Sequence, residues 1–416
     1  MKTLVIFTHG SPFSNGENAF LFPELPYLSS RFSRVVLVPD CICHRPDFSC
    51  PVKLPDGITV FKESMSGPSR KRISQFRALI GLDWIRELRD FRSFSDFVCE
   101  LTYTDSVNRF KAEFLRLVRV LNLDLADTLF YAFWMTHESS GLAQLAKDDP
   151  HIKFVTRAHG YDLYDYRVPF RSRYYRESTL STAKGVYCCS RDGADYLNGR
   201  CPGHESNVHV AYLGVPCDGV EMAPNPRWPT SELHLVMVAN LVPVKQHVKF
   251  ITALKAFALA HRSCRMVCDI IGDGPERAKI QRAMEGLPDN LAVSMLGLVA
   301  NKDLMHRYAE VPYDLIVLPS RSEGLSVAVM EAMARGIPAF VTDVGGMREL
   351  VEESKTGWLV NGDFTVLDVS RVLTDYLNGD RLSMRTAAIS RVRCCFDVAK
   401  TRSEFADQLV NVARNG

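Results

Sequence analysis

The stretch from Tyr313 to Thr342 constrains the fold more than any other part of this chain. Tyr313-Asp-Leu-Ile-Val-Leu318 is an apolar run that stops at Pro319-Ser320. A short apolar run bounded by breakers reads as a buried strand. A polar turn follows, Arg321-Ser-Glu-Gly324. Ser326 to Arg335 then reads as a helix stopped by Gly336 and Pro338. Pro338 to Thr342 is the next strand. Strand, turn, helix and strand in this order form a unit of a parallel sheet. The turn lies at the carboxyl end of its strand, where open α/β sheets bind ligands. The helix is apolar on nearly every side, through Val327, Ala328, Val329, Met330, Ala332, Met333 and Ala334, which marks it as buried. Glu331 sits in its middle, and a carboxylate there is costly unless something pairs with it. Two readings follow. Glu331 forms an i,i+4 ion pair with Arg335, or it faces a ligand whose hydroxyls it accepts from.

Glu323 and Glu331, seven residues apart and followed by Ala-Met-Ala-Arg-Gly-Ile-Pro and Gly345-Gly346, resemble the signature of retaining glycosyltransferases of the GT-B fold, of the family 4-like, bacterial surface-polysaccharide type. The resemblance implies that Glu323 lies by the donor sugar. It also implies that Glu331 holds the ribose hydroxyls of the nucleotide, with Gly324, Leu325 and Ser326 beside them. Ser326 stands where the family often has proline, and serine also caps a helix.

The chain has 416 residues, 46% hydrophobic and 24% charged. That is too long for one core, so two domains are expected. A net charge of +2 gives no reason to expect a nucleic-acid partner. The cysteines are scattered without paired C-x-x-C spacing. Cys41, Cys43, His44 and Cys50 read as ordinary thiols near a strand end, and no metal site is expected. No secretory leader and no 18-residue apolar stretch is read, so a reducing cytoplasm is the expected setting.

Strands are expected at Thr3–Phe7, Arg34–Pro39, Thr128–Trp134, Ile152–Thr156, Gly185–Cys188 and Val208–Leu213, with one helix from about Ala19 to Phe32. The first loop, Thr8 to Glu17, is not G-x-G-x-x-G. It resembles the acceptor-side first loop of the same glycosyltransferases, with Gly16 and Glu17 matching in type. From Arg70 to Arg92, basic residues (Arg70, Lys71, Arg72, Arg77, Arg86, Arg89, Arg92) outnumber Asp83, Glu87 and Asp90, and apolar residues recur at helical spacing. This is a surface helix packed on its own sheet, or a foot on anionic membrane. His159 follows a strand in Arg157-Ala-His-Gly-Tyr-Asp162. The resemblance implies that it reaches over the donor sugar, with Asp162 as a minor alternative base.

Residues 1–215 form the expected first domain and the proline-rich 216–231 a linker. Residues 232–395 form the second domain. The resemblance implies that a last helix within 396–416 packs back on the first. Strands are expected at Leu233–Ala239, Cys268–Ile271, Ala292–Gly297 and Gly357–Val360. In Asn240-Leu-Val-Pro-Val-Lys-Gln246, Lys245 precedes a helix, which suits a diphosphate. The family has Arg where this chain has Asn240, so one cation is missing or comes from elsewhere. Gly297-Leu298 stands where the family's backbone reads the base.

The fold expected is thus α/β, two doubly wound Rossmann-like domains facing a cleft. The function expected is a retaining transfer from a UDP- or GDP-linked sugar to a glycan or lipid-linked saccharide, in exopolysaccharide, capsule or other cell-surface glycan synthesis. His159, Lys245 and Glu323 serve the chemistry, without cofactor or metal, in the cytoplasm with peripheral membrane contact. A catalytically weakened nucleotide-sugar-binding or scaffold protein and a nucleotide-sugar epimerase stand as alternatives.

Overall fold

The computed structural model describes residues 2–13, 15–40, 53–61, 93–167, 172–225 and 232–415. The chain divides into two compact units. The first takes in Met1–Tyr212 and Arg402–Gly416, the second Leu213–Thr401.

The first unit is built on a seven-stranded sheet. Its strands are β1 (Thr3–Thr8), β2 (Arg34–Pro39), β3 (Ile58–Val60), β4 (Thr128–Ala132), β5 (Lys153–Ala158), β6 (Val186–Cys188) and β7 (Val208–Val210). Their order is β3-β2-β1-β4-β5-β6-β7, and every neighbouring pair is parallel. Side chains alternate across a strand, and here both faces are covered. Val5 and Phe7 enter one core with Phe130, Phe154 and Phe114. Leu4 and Ile6 enter the other with Leu129, Tyr131 and Val155. That is why these strands read as unbroken apolar runs rather than alternating ones. The second core also takes Phe405, Ala406, Leu409 and Ala413 from the helix Val398–Asn415.

Residues 15–32 form two short helices, Asn15–Leu21 and Leu25–Ser29, where the sequence suggests one. Pro23 and Pro26 remove backbone donors and clash with the preceding turn, so the chain breaks at Glu24. The break turns Glu24 inward. Its Oε2 accepts at 2.6 Å from both Arg157 and Arg402, and all three side chains are fully buried. A long helix, Phe94–Val120, escapes the sequence reading. Its start was legible as a capping box: Ser93 Oγ accepts from Asp96 N, and Asp96 Oδ2 accepts from Ser93 N.

The second unit repeats the plan. Its strands are β8 (Glu232–Val238), β9 (Arg265–Ile271), β10 (Leu291–Gly297), β11 (Leu315–Leu318), β12 (Ala339–Thr342) and β13 (Gly357–Val360), in the order β10-β9-β8-β11-β12-β13. Residues 216–225, taken from composition as linker, belong to this unit. Ala223 donates to Arg335 O, and Arg385 donates to Ala223 O at 2.8 Å. Among the described residues no helix is long and apolar enough to cross a membrane. The basic stretch Arg70–Arg92 and the Cys41–Cys50 group lie outside the described residues.

Asp269 of β9 anchors a polar cluster within this unit. It accepts from Arg307 and Tyr313 at 2.6 Å each, and His234 Nε2 lies 3.3 Å away. Burial opposes its ionisation, but the bonds from His234, Tyr313 and Arg307 win and hold the carboxyl at about 2. A carboxyl lowered in the fold adds stability above its unfolded pKa of about 3.9, and that stability is lost as pH falls through 2. Asp269→Asn is therefore expected to cost about 2 kcal/mol at pH 7 and to flatten the fall in stability between about pH 4 and 2. Urea titrations of both proteins across that range check it.

Candidate functional site

In the order 3-2-1-4, the loops after the first and fourth strands diverge, and a crevice opens between them. In the second unit these are the loops after β8 and β11. The first carries Asn240 and Lys245, the second Glu323 to Ser326.

The two loops are tied together from below. Arg321 N donates to Val244 O at 2.8 Å. Gln246, in the left-handed conformation (φ 52°), donates its side-chain amide to Pro319 O at 2.9 Å and Gly362 O at 2.8 Å. Gly346 N donates to Gly324 O at 2.8 Å. Held this way, Lys245 Nζ donates to Glu323 Oε1. The two side chains are only 20% and 11% exposed. A cation and a carboxylate that lie 78 residues apart in the chain thus form one contact pair.

The loop after β8 is propped by Gly272 and Gly274, which follow β9. Both have positive φ, and a Cβ on Gly272 would lie 1.9 Å from Ala239 O, one on Gly274 2.6 Å from Leu241 O. Only glycine permits that approach. Leu241 N donates to Asp273 O and Glu276 N to Leu241 O, both at 2.9 Å. Asn240 itself is exposed.

Helix Val327–Met333 starts at Ser326, whose Oγ accepts from Val329 N at 3.4 Å. Leu325 and Ser326 are buried. Glu331 is half-buried and its Oε1 accepts from Asn301 at 2.8 Å. The ion pair with Arg335 does not form, because Arg335 donates instead to the backbone carbonyl of Glu331 at 3.0 Å. Burial raises the carboxyl above its usual range, against weaker pulls from Asn301 and Arg335. A carboxylate offers about four acceptor positions, and Asn301 supplies one protein donor. Gly297 (φ 73°) ends the edge strand β10, and Leu298 beside it is 76% exposed.

In the first unit, His159 follows β5. Asp162 accepts from His159 N at 2.8 Å and from Met135 N at 2.9 Å and is fully buried. That makes it an anchor for two loops rather than a base. The His159 ring lies against Trp134 and Phe133, with centroids 4.4 and 4.9 Å away. Its Nδ1 stands 3.6 Å from Asp162, and among the described residues neither ring nitrogen has a hydrogen-bond partner. Burial lowers its pKa despite Asp162, so the ring is neutral near pH 7. Gly16 falls in the first turn of helix Asn15–Leu21, and its surroundings lie outside the described residues.

The first loop differs from a phosphate-binding one for a visible reason. Glu17 accepts from the amides of His9, Gly10 and Ser11 at 3.1, 2.7 and 2.7 Å, and from Trp134 Nε1 at 2.8 Å. The loop's amide cradle is filled by the chain's own carboxylate. Sequence reading missed the residues nearby, His9, His137 and Glu138, whose ligand atoms lie within 4.8 Å of one another. No spacing signal joins them, because β1 and β4 pair across a long intervening chain.

Comparison with known proteins places the fold and the second unit. Residues 221–393 match the family "Glycosyl transferases group 1". The chain is 28% identical over 227 residues to the Escherichia coli (strain K12) protein named for colanic acid biosynthesis glycosyltransferase WcaL, covering 51% of this chain and 50% of the relative. It is 33% identical over 135 residues to a GDP-mannose-dependent alpha-mannosyltransferase of Mycobacterium tuberculosis, 32% of each chain. The matched region thus spans half or less of these relatives' length. Among solved structures, sucrose-phosphate synthase from Thermosynechococcus elongatus superposes with a TM-score of 0.74 at 14% identity, over 100% of both chains. Anabaena HepE in complex with UDP gives 0.65 at 16% identity, over 99% of this chain and 100% of that one. At such identities the likeness speaks for the fold. The two units have the GT-B fold, and residues 221–393 match glycosyl transferases group 1.

Proposed function

We propose that this protein is a retaining glycosyltransferase that moves a sugar from a UDP- or GDP-linked donor to a hydroxyl of a glycan or lipid-linked saccharide, in the making of a cell-surface glycan. The observation that carries the reading is the switch point of the second sheet. Lys245 and Glu323 meet there, and the Glu331 carboxylate stands nearby in sequence on a buried helix, accepting from Asn301 among the described residues. Lys245 is suited to the donor's diphosphate. A preorganised donor facing charge that develops on a leaving group contributes about 3–4 kcal/mol in a dry site. Glu323, already bonded to Lys245, is suited to the sugar, and Glu331 to the ribose hydroxyls. Gly297 and Leu298 are suited to the base. His159, neutral and with neither ring nitrogen bonded among the described residues, can donate to a sugar oxygen. Gly16 keeps the acceptor-side role that the family resemblance implies. Asn240 leaves one family cation unsupplied, which favours a weakened binding protein as the second reading. Turnover of a bound donor separates the two.

Related names point the same way: one relative is named for colanic acid biosynthesis, another for GDP-mannose, and a structural neighbour holds UDP. A thermal-shift panel of UDP- and GDP-sugars tests the proposal. A true donor at about 100 times its Kd adds about 2.7 kcal/mol. Because Lys245 serves the diphosphate in place of a metal, the shift is expected to persist in excess EDTA. No shift with any nucleotide-sugar overturns the donor reading, and a shift abolished by EDTA overturns the role given to Lys245.

A further inference from the structure

We propose that His9, His137 and Glu138 form a three-ligand site for a divalent transition metal of the zinc, cobalt or nickel class, wholly inside the first unit. The three offer two imidazole nitrogens and a carboxylate, all within 4.8 Å of one another. Glu138 Oε1 lies 3.3 Å from His9 Nε2, and Oε2 lies 3.3 Å from His137 Nδ1. An ion with bonds of about 2.0–2.2 Å in tetrahedral geometry holds its ligand atoms roughly 3.3–3.5 Å apart. Each imidazole thus stands at that separation from one oxygen of Glu138, Oε1 for His9 and Oε2 for His137, and a small turn of the carboxylate presents one oxygen to an ion between the rings. The two imidazoles stack with centroids 6.1 Å apart at 15°, and side-chain rotation brings their nitrogens onto it.

The surroundings support the assignment. Asp40 Oδ2 stands 3.7 Å from His137 Nε2. With Nδ1 on the metal, that leaves a carboxylate behind the ligating ring, and a small side-chain movement closes it to the hydrogen bond that fixes the tautomer and strengthens the ligand. Thr136 Oγ1 donates to Glu138 at 2.5 Å and lies 3.0 Å from His9 Nε2. Its hydroxyl orients the carboxylate, and an incoming ion displaces the His9 contact. Glu138 and Asp40 together balance a doubly charged ion held by neutral imidazoles. The donor set, nitrogen with one carboxylate, suits zinc, cobalt or nickel better than magnesium or calcium. Two effects oppose it: against burial, Glu138 raises His9 to about 9, so an ion must displace a proton there, and His137 and Glu138 open the helix His137–Asp148, whose positive end disfavours a cation. The two carboxylates outweigh that partial charge.

His9 is 40% exposed on its side chain and Glu138 only 5%, so an ion enters from the His9 side. Three protein ligands leave a coordination position open, as in metal sites that hold a water or a substrate oxygen. The site takes nothing from the second unit, so its failure and that of the donor reading are separate results.

The test is titration of the reduced full-length protein with cobalt(II), followed by visible absorbance and calorimetry. The expected result is one saturable equivalent with ligand-field bands of low-coordinate nitrogen and oxygen ligation, and without a thiolate charge-transfer band. His9→Ala and His137→Ala, with folding confirmed by circular dichroism, are each expected to weaken binding more than tenfold. Asp40→Asn is expected to weaken it about tenfold through the ring it orients. Absence of saturable binding, a thiolate band, or unchanged affinity in both histidine variants overturns the site.

Discussion

Glu331→Ala is expected to weaken binding of the bare nucleoside diphosphate by about ten- to a hundredfold, as well as binding of the full donor. The side chain lies on an otherwise apolar helix, Val327–Met333, and accepts one bond from Asn301. A bond to a charged acceptor contributes about 1.5–3 kcal/mol, and each 1.4 kcal/mol is tenfold in affinity. The same substitution removes a carboxylate that burial disfavours, so the folded protein should keep its stability. Glu323→Ala separates the roles. It frees Lys245 from its partner, so bare diphosphate binding should hold or tighten while turnover falls. Calorimetric titration of wild type and both variants with the nucleotide that gives the largest thermal shift is the measurement. Equal affinity in wild type and Glu331→Ala, both folded, ends the ribose assignment.

Glu24→Ala is expected to destabilise the first unit by about 3–5 kcal/mol, because it strands two buried guanidiniums. Arg157 and Arg402 each donate to the same oxygen at 2.6 Å. Without Glu24 they remain in the interior as like charges. Burial, with Arg157 as the like-charged neighbour, already lowers Arg402 to about 10. Arg157 keeps its bonds to Ala211 O and Tyr212 O at 2.6 and 3.2 Å and its place over the Phe405 ring. Among the described residues Arg402 keeps Phe20 O alone, so the terminal helix should loosen first. Hydrogen exchange is expected to show early loss of protection over residues 402–414. Replacing all three with apolar residues of similar volume should recover most of the loss. A cost below about 1 kcal/mol for Glu24→Ala would show that the triad contributes little.

The sequence alone determined most of the strands and roughly where they stop. β2 and β13 run as expected from their residues, the short edge strand β3 (Ile58–Val60) is not read from the sequence, and the others shift by a few positions. Long apolar runs between breakers fix them, because a parallel strand covered on both faces has no other composition open to it. The oddness of Glu331 was also legible, as was Ser326 as a helix cap. The split at Glu24 was readable from Pro23 and Pro26, and the helix at Phe94 from the Ser93–Asp96 box.

What the sequence left open is which side chains meet. Spacing allows Glu331 to pair with Arg335, but in the fold the guanidinium donates to the backbone carbonyl of Glu331. Lys245 with Glu323, Glu24 with Arg157 and Arg402, and His9 with His137 and Glu138 are all joined across long stretches of chain. Periodicity and turn chemistry act over a few residues. These meetings depend on strand order: β1 pairs with β4, and β8 with β11. That order follows from burying both sheet faces at once, a condition on the whole unit that no local spacing carries.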